Sequence, residues 1–168
     1  MNQDIKSHRW AARLFGIFII LAFASYGTGS GLVDSIAEGT NGLAGIADGK
    51  TTLMIGVVLI ATVHTVVTIG LSVLAFPALS TVNGYVARGY LAAGIAATVT
   101  AVTGALFFAL LVPLSDAFVA SGTGGEHFDT MALILQKGGF FAYQMSMTLW
   151  SVGGLILCAA LFVSRLVP

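Results

Sequence analysis

At 168 residues, with hydrophobic residues at 57% and charged residues at 8%, the chain falls far below the roughly 25% charged content of a soluble domain. Formal net charge is zero, so there is neither a basic patch for nucleic acid nor an acidic tail for a basic partner, and nucleic-acid binding is excluded on that ground. The lone cysteine, Cys158, lies in an apolar run. It has no second thiol for a disulfide or a metal cluster and reads as a small core residue.

In chain order, four segments lack Asp, Glu, Lys and Arg: 14–33, 53–79, 90–115 and 138–163. Each supplies the ~20 apolar residues a spanning helix needs, and a lone strand in hydrocarbon would leave its backbone groups unpaired. The sequence therefore predicts an all-α integral membrane four-helix bundle, a single transmembrane domain over 1–168, with spans near 10–33, 53–79, 89–115 and 138–164. Outer loops are expected at 34–52 and 116–137 and a cytoplasmic loop at 80–88. Lys6, Arg9 and Arg13 followed by an apolar stretch ending in Ala22-Phe23-Ala24 also fit a cleavable signal peptide. A retained first helix is the expectation, unwound at its outer end, where Gly27, Gly29 and Gly31 disfavour helix.

Lys6, Arg9, Arg13, Arg88 and Arg165 flank one side of the spans and only Lys50 and Lys137 the other. The positive-inside rule puts both termini in the cytoplasm. Asp34, Glu38, Asp48, Asp116, Glu126 and Asp129 all fall in the outer loops. In the first of these, Gly39, Gly42, Gly45 and Gly49 favour a flexible loop over a short dipping helix. In the second, a turn over 121–125 precedes a short interfacial helix over 128–136. With no preceding strand, that glycine run is not a phosphate loop.

The second span carries His64 near its middle, with Thr62, Thr65, Thr68 and Ser72 on nearby turns. His64, Thr65 and Thr68 form the candidate intramembrane polar site. A buried imidazole must find a partner, and a hydrogen bond to a neighbouring helix is the expectation. Haem is not expected: His8 and His127 lie outside the hydrocarbon, and Met145 or Met147 would serve as second ligand only by coincidence of height. No metal site or other cofactor is predicted.

In the third span, Gly89, Ala93, Ala97, Ala101, Ala105 and Ala109 recur at intervals of four, a ridge of small side chains along which another helix can pack closely. Gly153 and Gly154, Gly56 and Gly70 offer partner surfaces, inside the chain or on another protein. Thr98, Thr100 and Thr103 can return their hydroxyls to the preceding turn. Pro77 and Pro113 are expected to shape helix exits, and Trp150 to be core.

Span interiors hold no carboxylate, lysine or arginine, which argues against ion-coupled transport. G-x-S-x-G, H-E-x-x-H and C-x-x-C are absent, and no enzyme is predicted. The sequence favours an interaction protein: a bundle that forms homo-oligomers or serves as an accessory subunit beside other membrane subunits. The alternative is a transporter or channel for a small molecule or lipophile, with its site near His64.

Three stretches carry a resemblance: Arg9-Trp10-Ala11-Ala12-Arg13-Leu14-Phe15-Gly16-Ile17; Pro77-Ala78-Leu79 with Val86-Ala87-Arg88-Gly89-Tyr90-Leu91-Ala92-Ala93; and Phe162-Val163-Ser164-Arg165-Leu166-Val167-Pro168. They resemble a bacterial membrane family, the domain of unknown function 4386. The resemblance implies a helical protein of the bacterial inner (cytoplasmic) membrane and brings no activity or site residues. Members often carry a charged pair after the third-helix tyrosine, where this chain has Gly94 and Ala97. They usually continue through further helices, which this chain is expected to lack.

Overall fold

The computed structural model describes residues 2–39, 41–122 and 125–164, with side chains from residue 10 onward. The side chains of Lys6, His8 and Arg9, and residues Thr123, Gly124 and Arg165, thus lie outside the described part, along with the end of the third resembling stretch. Four helical rods, each long and apolar enough to cross a membrane, run back and forth through the described residues. Helix α1 is Asn2–Ala37. The second rod is α2 (Gly42–Val58), a π-helical segment (Leu59–His64) and α3 (Thr65–Val82) without interruption. The third is α4 (Gly84–Ala109) and α5 (Leu111–Ser121), and the fourth is α6 (Glu126–Ser164). The chain is a multi-pass helical membrane protein.

The connections are shorter than the glycine content predicts. Gly27, Gly29 and Gly31 lie inside α1, and most of the expected 34–52 loop is helix, with α1 reaching Ala37 and α2 starting at Gly42. Glycine costs a helix about 1 kcal/mol, but a backbone amide left unpaired in hydrocarbon costs more. Close approach also rewards glycine here: a Cβ on Gly56 would stand 2.6 Å from the Gly29 carbonyl oxygen. Helices α1 and α2 cross nearly backbone to backbone at that point. The stretch 128–136, expected as a separate interfacial helix, is the first part of α6.

The turns have local causes. Asn83 alone separates α3 from α4; extended, it accepts the Tyr85 N–H on its side chain at 2.8 Å and caps α4. Pro113 lacks an amide hydrogen and its ring crowds the carbonyl of Ala109, which is where α4 ends and the rod breaks before α5. Pro77, by contrast, sits inside α3, which runs on to Val82. Helix α5 stops at Gly122, whose φ of +64° suits glycine.

The two ends of the bundle differ. At the end holding the α1–α2 and α5–α6 connections, Val33, Ile46, Leu53 and Leu111 are almost fully buried together. An exposed ion pair, Lys50 to Asp116 at 3.4 Å, ties α2 to α5 there. At the terminal end, smaller clusters gather around Leu79 and Ala87 and around Ala22 and Leu71. The exterior is apolar, with Ile20, Leu155 and Phe162 outward-facing, as a lipid-facing surface requires. Cys158, expected in the core, is exposed. In lipid an apolar side chain gains nothing by hiding from its surroundings.

Candidate functional site

Among the described residues, helices α4 and α6 make the most extensive contact, and the ridge lies partly within it. Of the six residues at intervals of four, Ala97, Ala101 and Ala105 are buried, whereas Gly89, Ala93 and Ala109 are only half-buried. Intervals of four advance about 40° past a full turn, so five of them carry the ridge about 200° round the helix. One straight neighbour cannot follow that.

On α6 the buried small residues fall at intervals of seven, Ala132, Gly139, Ser146, Gly153 and Ala160; of these Gly139 meets Gly104, Ser146 meets Ala97, Gly153 meets Ala93 and Ala160 clusters with Ala87 on α4, whereas Gly94 of α4 turns to Ser72 of α3. A period of 3.5 residues per turn keeps one seam facing one partner. The sequence reading missed this repeat, which was present in α6 as small residues at every seventh position. Contacts run antiparallel: a Cβ on Gly104 would lie 3.2 Å from the Gly139 carbonyl oxygen, and one on Gly153 would lie 3.4 Å from Ala93. Ser146 donates its hydroxyl to the Ala97 carbonyl at 2.8 Å. Thr98, Thr100 and Thr103 return theirs to Gly94, Ala96 and Val99.

His64 ends the π-helical segment, a local widening of the helix that often accompanies a functional position. Its Nδ1 stands 3.1 Å from the Ala22 carbonyl oxygen of α1, so the expected bond to a neighbouring helix is made. A carbonyl oxygen only accepts, which places the proton of the neutral ring on Nδ1 and leaves Nε2 with a lone pair. Thr68 Oγ1 lies 3.3 Å from Nε2, yet the same hydroxyl donates to the His64 carbonyl at 2.8 Å. The shorter bond takes the hydrogen, and Nε2 keeps acceptor capacity. Thr65, grouped with these residues in the sequence, instead reaches the Ile60 carbonyl at 3.5 Å and does not line the cavity beside His64.

That cavity, of about 150 Å³, is walled by all four rods: Ala22 and Tyr26 from α1, His64 and Thr68 from the second, Ala97 and Thr98 from α4, and Tyr143, Ser146, Met147 and Trp150 from α6. Tyr26 meets the His64 ring edge-on at 5.2 Å and stacks on Tyr143 at 5.1 Å, while Phe23 meets Trp150 edge-on at 5.8 Å. None of the lining side chains is an acid, a lysine or an arginine. Trp150, expected as core, is a half-buried cavity wall. Met147 does reach the height of His64, whereas Met145 faces outward. No group of three or more metal-ligating side chains occurs among the described residues.

No curated protein and no solved structure matches the chain. The profile of one family, described as domain of unknown function (DUF4386), matches residues 14–168, which include every wall of this cavity. The chain belongs to that family.

Proposed function

We propose that this protein is a non-enzymatic membrane protein that holds a small uncharged molecule, about the size of one ring and carrying a hydrogen-bond donor, in the cavity beside His64. The observation that carries this reading is that all four rods line a space of about 150 Å³ with an imidazole acceptor in its wall. A dry cavity of roughly that volume is enough to hold benzene. The aromatic rings of Tyr26, Tyr143 and Trp150 supply the apolar contact, and Nε2 of His64 takes the donor. An uncharged guest follows from the uncharged lining, because an ion there would lose its water without gaining a counter-charge.

The competing role, a bundle that oligomerises or joins other subunits, rested on the small-residue ridge. Part of that ridge is occupied within the chain, since Ala97 accepts the Ser146 hydroxyl and Ala93 lies against Gly153 of α6, and the cavity beside His64 is the more specific feature. The basic residues flanking the spans support an orientation with both termini in the cytoplasm, and placement in a bacterial inner membrane rests on the family resemblance.

Phenol and benzene serve as probes. The chain has two tryptophans, so Trp10→Phe leaves Trp150 as the reporter in the cavity wall. Phenol should change its emission saturably. His64→Ala should weaken phenol about 10-fold, the worth of one hydrogen bond, while benzene binds at least as well as before. Absence of saturation, or equal loss for both probes, would overturn the reading.

A further inference from the structure

Consecutive rods pack closely and α4 packs on α6, but the first and last helices scarcely approach each other. What joins α1 to α6 is side chains: Phe23 on Trp150, Tyr26 on Tyr143, and Gln136, whose Nε2 donates to the Ala37 carbonyl at 2.7 Å. Three cavities lie in series along this seam. A vestibule of about 410 Å³ opens at the connection end beside Asp34, Glu38 and Lys137. It shares Tyr26 and Tyr143 as walls with the His64 cavity. The His64 cavity in turn shares Thr68 and Trp150 with a third space of about 110 Å³ beside Phe15 and Tyr90.

The lining of the series runs along α1 from Ala37 to Phe15 and along α6 from Leu133 to Leu157. At the helical rise each stretch covers about 35 Å, as much as the hydrocarbon core of about 30 Å. A packing fault in one place would leave one void. Successive voids that share walls two at a time along the α1/α6 seam are the arrangement a conduit requires.

We propose that the α1/α6 seam is a path through the bundle for the small uncharged molecule, closed at two necks, Tyr26 with Tyr143 and Thr68 with Trp150. The identity of the solute rests on the binding reading above; the path itself rests on the cavities. The stacked tyrosines are the nearer barrier to the vestibule. Rotation of either ring out of the stack opens the middle cavity without moving a helix, a side-chain event of low cost compared with bundle rearrangement.

The test is thiol reactivity in the full chain, reconstituted in lipid nanodiscs in a Cys158→Ser background, with the uncharged, water-soluble 2-hydroxyethyl methanethiosulfonate as the reagent. Reporters are Ser30→Cys in the vestibule, Ser146→Cys in the middle cavity and Leu157→Cys in the third. The path predicts fast reaction at the first and slow reaction at the second. Tyr143→Ala and, independently, Tyr26→Ala should each speed the Ser146→Cys reaction about ten-fold or more. Tyr143→Phe, which keeps the ring, should leave it slow.

Leu157→Cys should keep its rate in Tyr143→Ala, because the second neck still stands; this also shows that the bundle has not loosened. The proposal is overturned if Ser146→Cys reacts as fast as Ser30→Cys in the parent, if neither tyrosine variant speeds it, if Phe23→Ala on the lipid flank speeds it instead, or if all reporters accelerate together. Phenol titration of the same protein reads the binding site separately. Gated thiol access without phenol saturation would sink the ligand reading and leave the path, and the reverse result would do the opposite.

Discussion

Toward α4, helix α6 presents Gly139, Ala142, Ser146 and Gly153, and the two backbones come close enough that an added Cβ would touch the opposite chain. Toward α1, the same helix extends Tyr143 and Trp150, and rings rather than backbones fill the distance. Both seams lie in an apolar medium, so neither is driven by expulsion of water. The first gains van der Waals contact along its whole length and cannot open without losing all of it. The second is held by a few contacts that can be exchanged one at a time. A membrane bundle can thus combine a rigid pair with an adjustable one by choosing residue size along two faces of a single helix.

Substitutions should separate these seams by size of effect, read as stability to unfolding in mixed detergent. The largest is expected for Gly104→Leu, because the Cβ alone meets the Gly139 backbone oxygen, which cannot step aside; overpacking there should cost about 3 kcal/mol. Gly154→Leu, on the partner helix α6 but with nothing within 4 Å of its added Cβ, should cost far less. If the two glycines prove equally sensitive, close approach of α4 to α6 is not what holds the rigid seam. Gln136→Ala should be intermediate, losing about 1 kcal/mol with its bond across the adjustable seam. The smallest effect belongs to Lys50→Ala, whose exposed pairing with Asp116 should be worth less than about 0.5 kcal/mol.

The four rods were legible in the sequence because long uncharged apolar runs have few other solutions in lipid. Their ends were not. Glycine at positions 27, 29, 31, 45 and 49 reads as loop on a scale calibrated in water, where an unpaired amide has a ready substitute partner; in this protein those positions are helical, while Gly42, with φ +55°, marks the turn into α2. His64 was legible as the one histidine within a span interior, and so was its need for a partner. The identity of that partner, Ala22 of α1, was not, since a backbone carbonyl leaves no mark in the sequence.

The small-residue pattern was half legible. Ala97, Ala101 and Ala105 belong to both the intervals of four and the buried face, and only the partner helix, with its sevenfold spacing from Ala132 to Ala160, decides between the two periods. The cavity could not be read at all. Its walls are separated by up to 128 positions between Ala22 and Trp150, and the π-helical segment that ends at His64 has no sequence signature of its own.

The acceptor role of His64 can be observed at the atom concerned. The chain has three histidines, so nitrogen-15 NMR of histidine-labelled protein in nanodiscs, with His64→Ala for assignment, isolates this ring. The account predicts an unprotonated Nε2 resonance that moves on addition of phenol as a hydrogen bond forms and stays nearly still with benzene. A resonance showing the proton on Nε2, or one indifferent to phenol while Trp150 reports saturation, would contradict it.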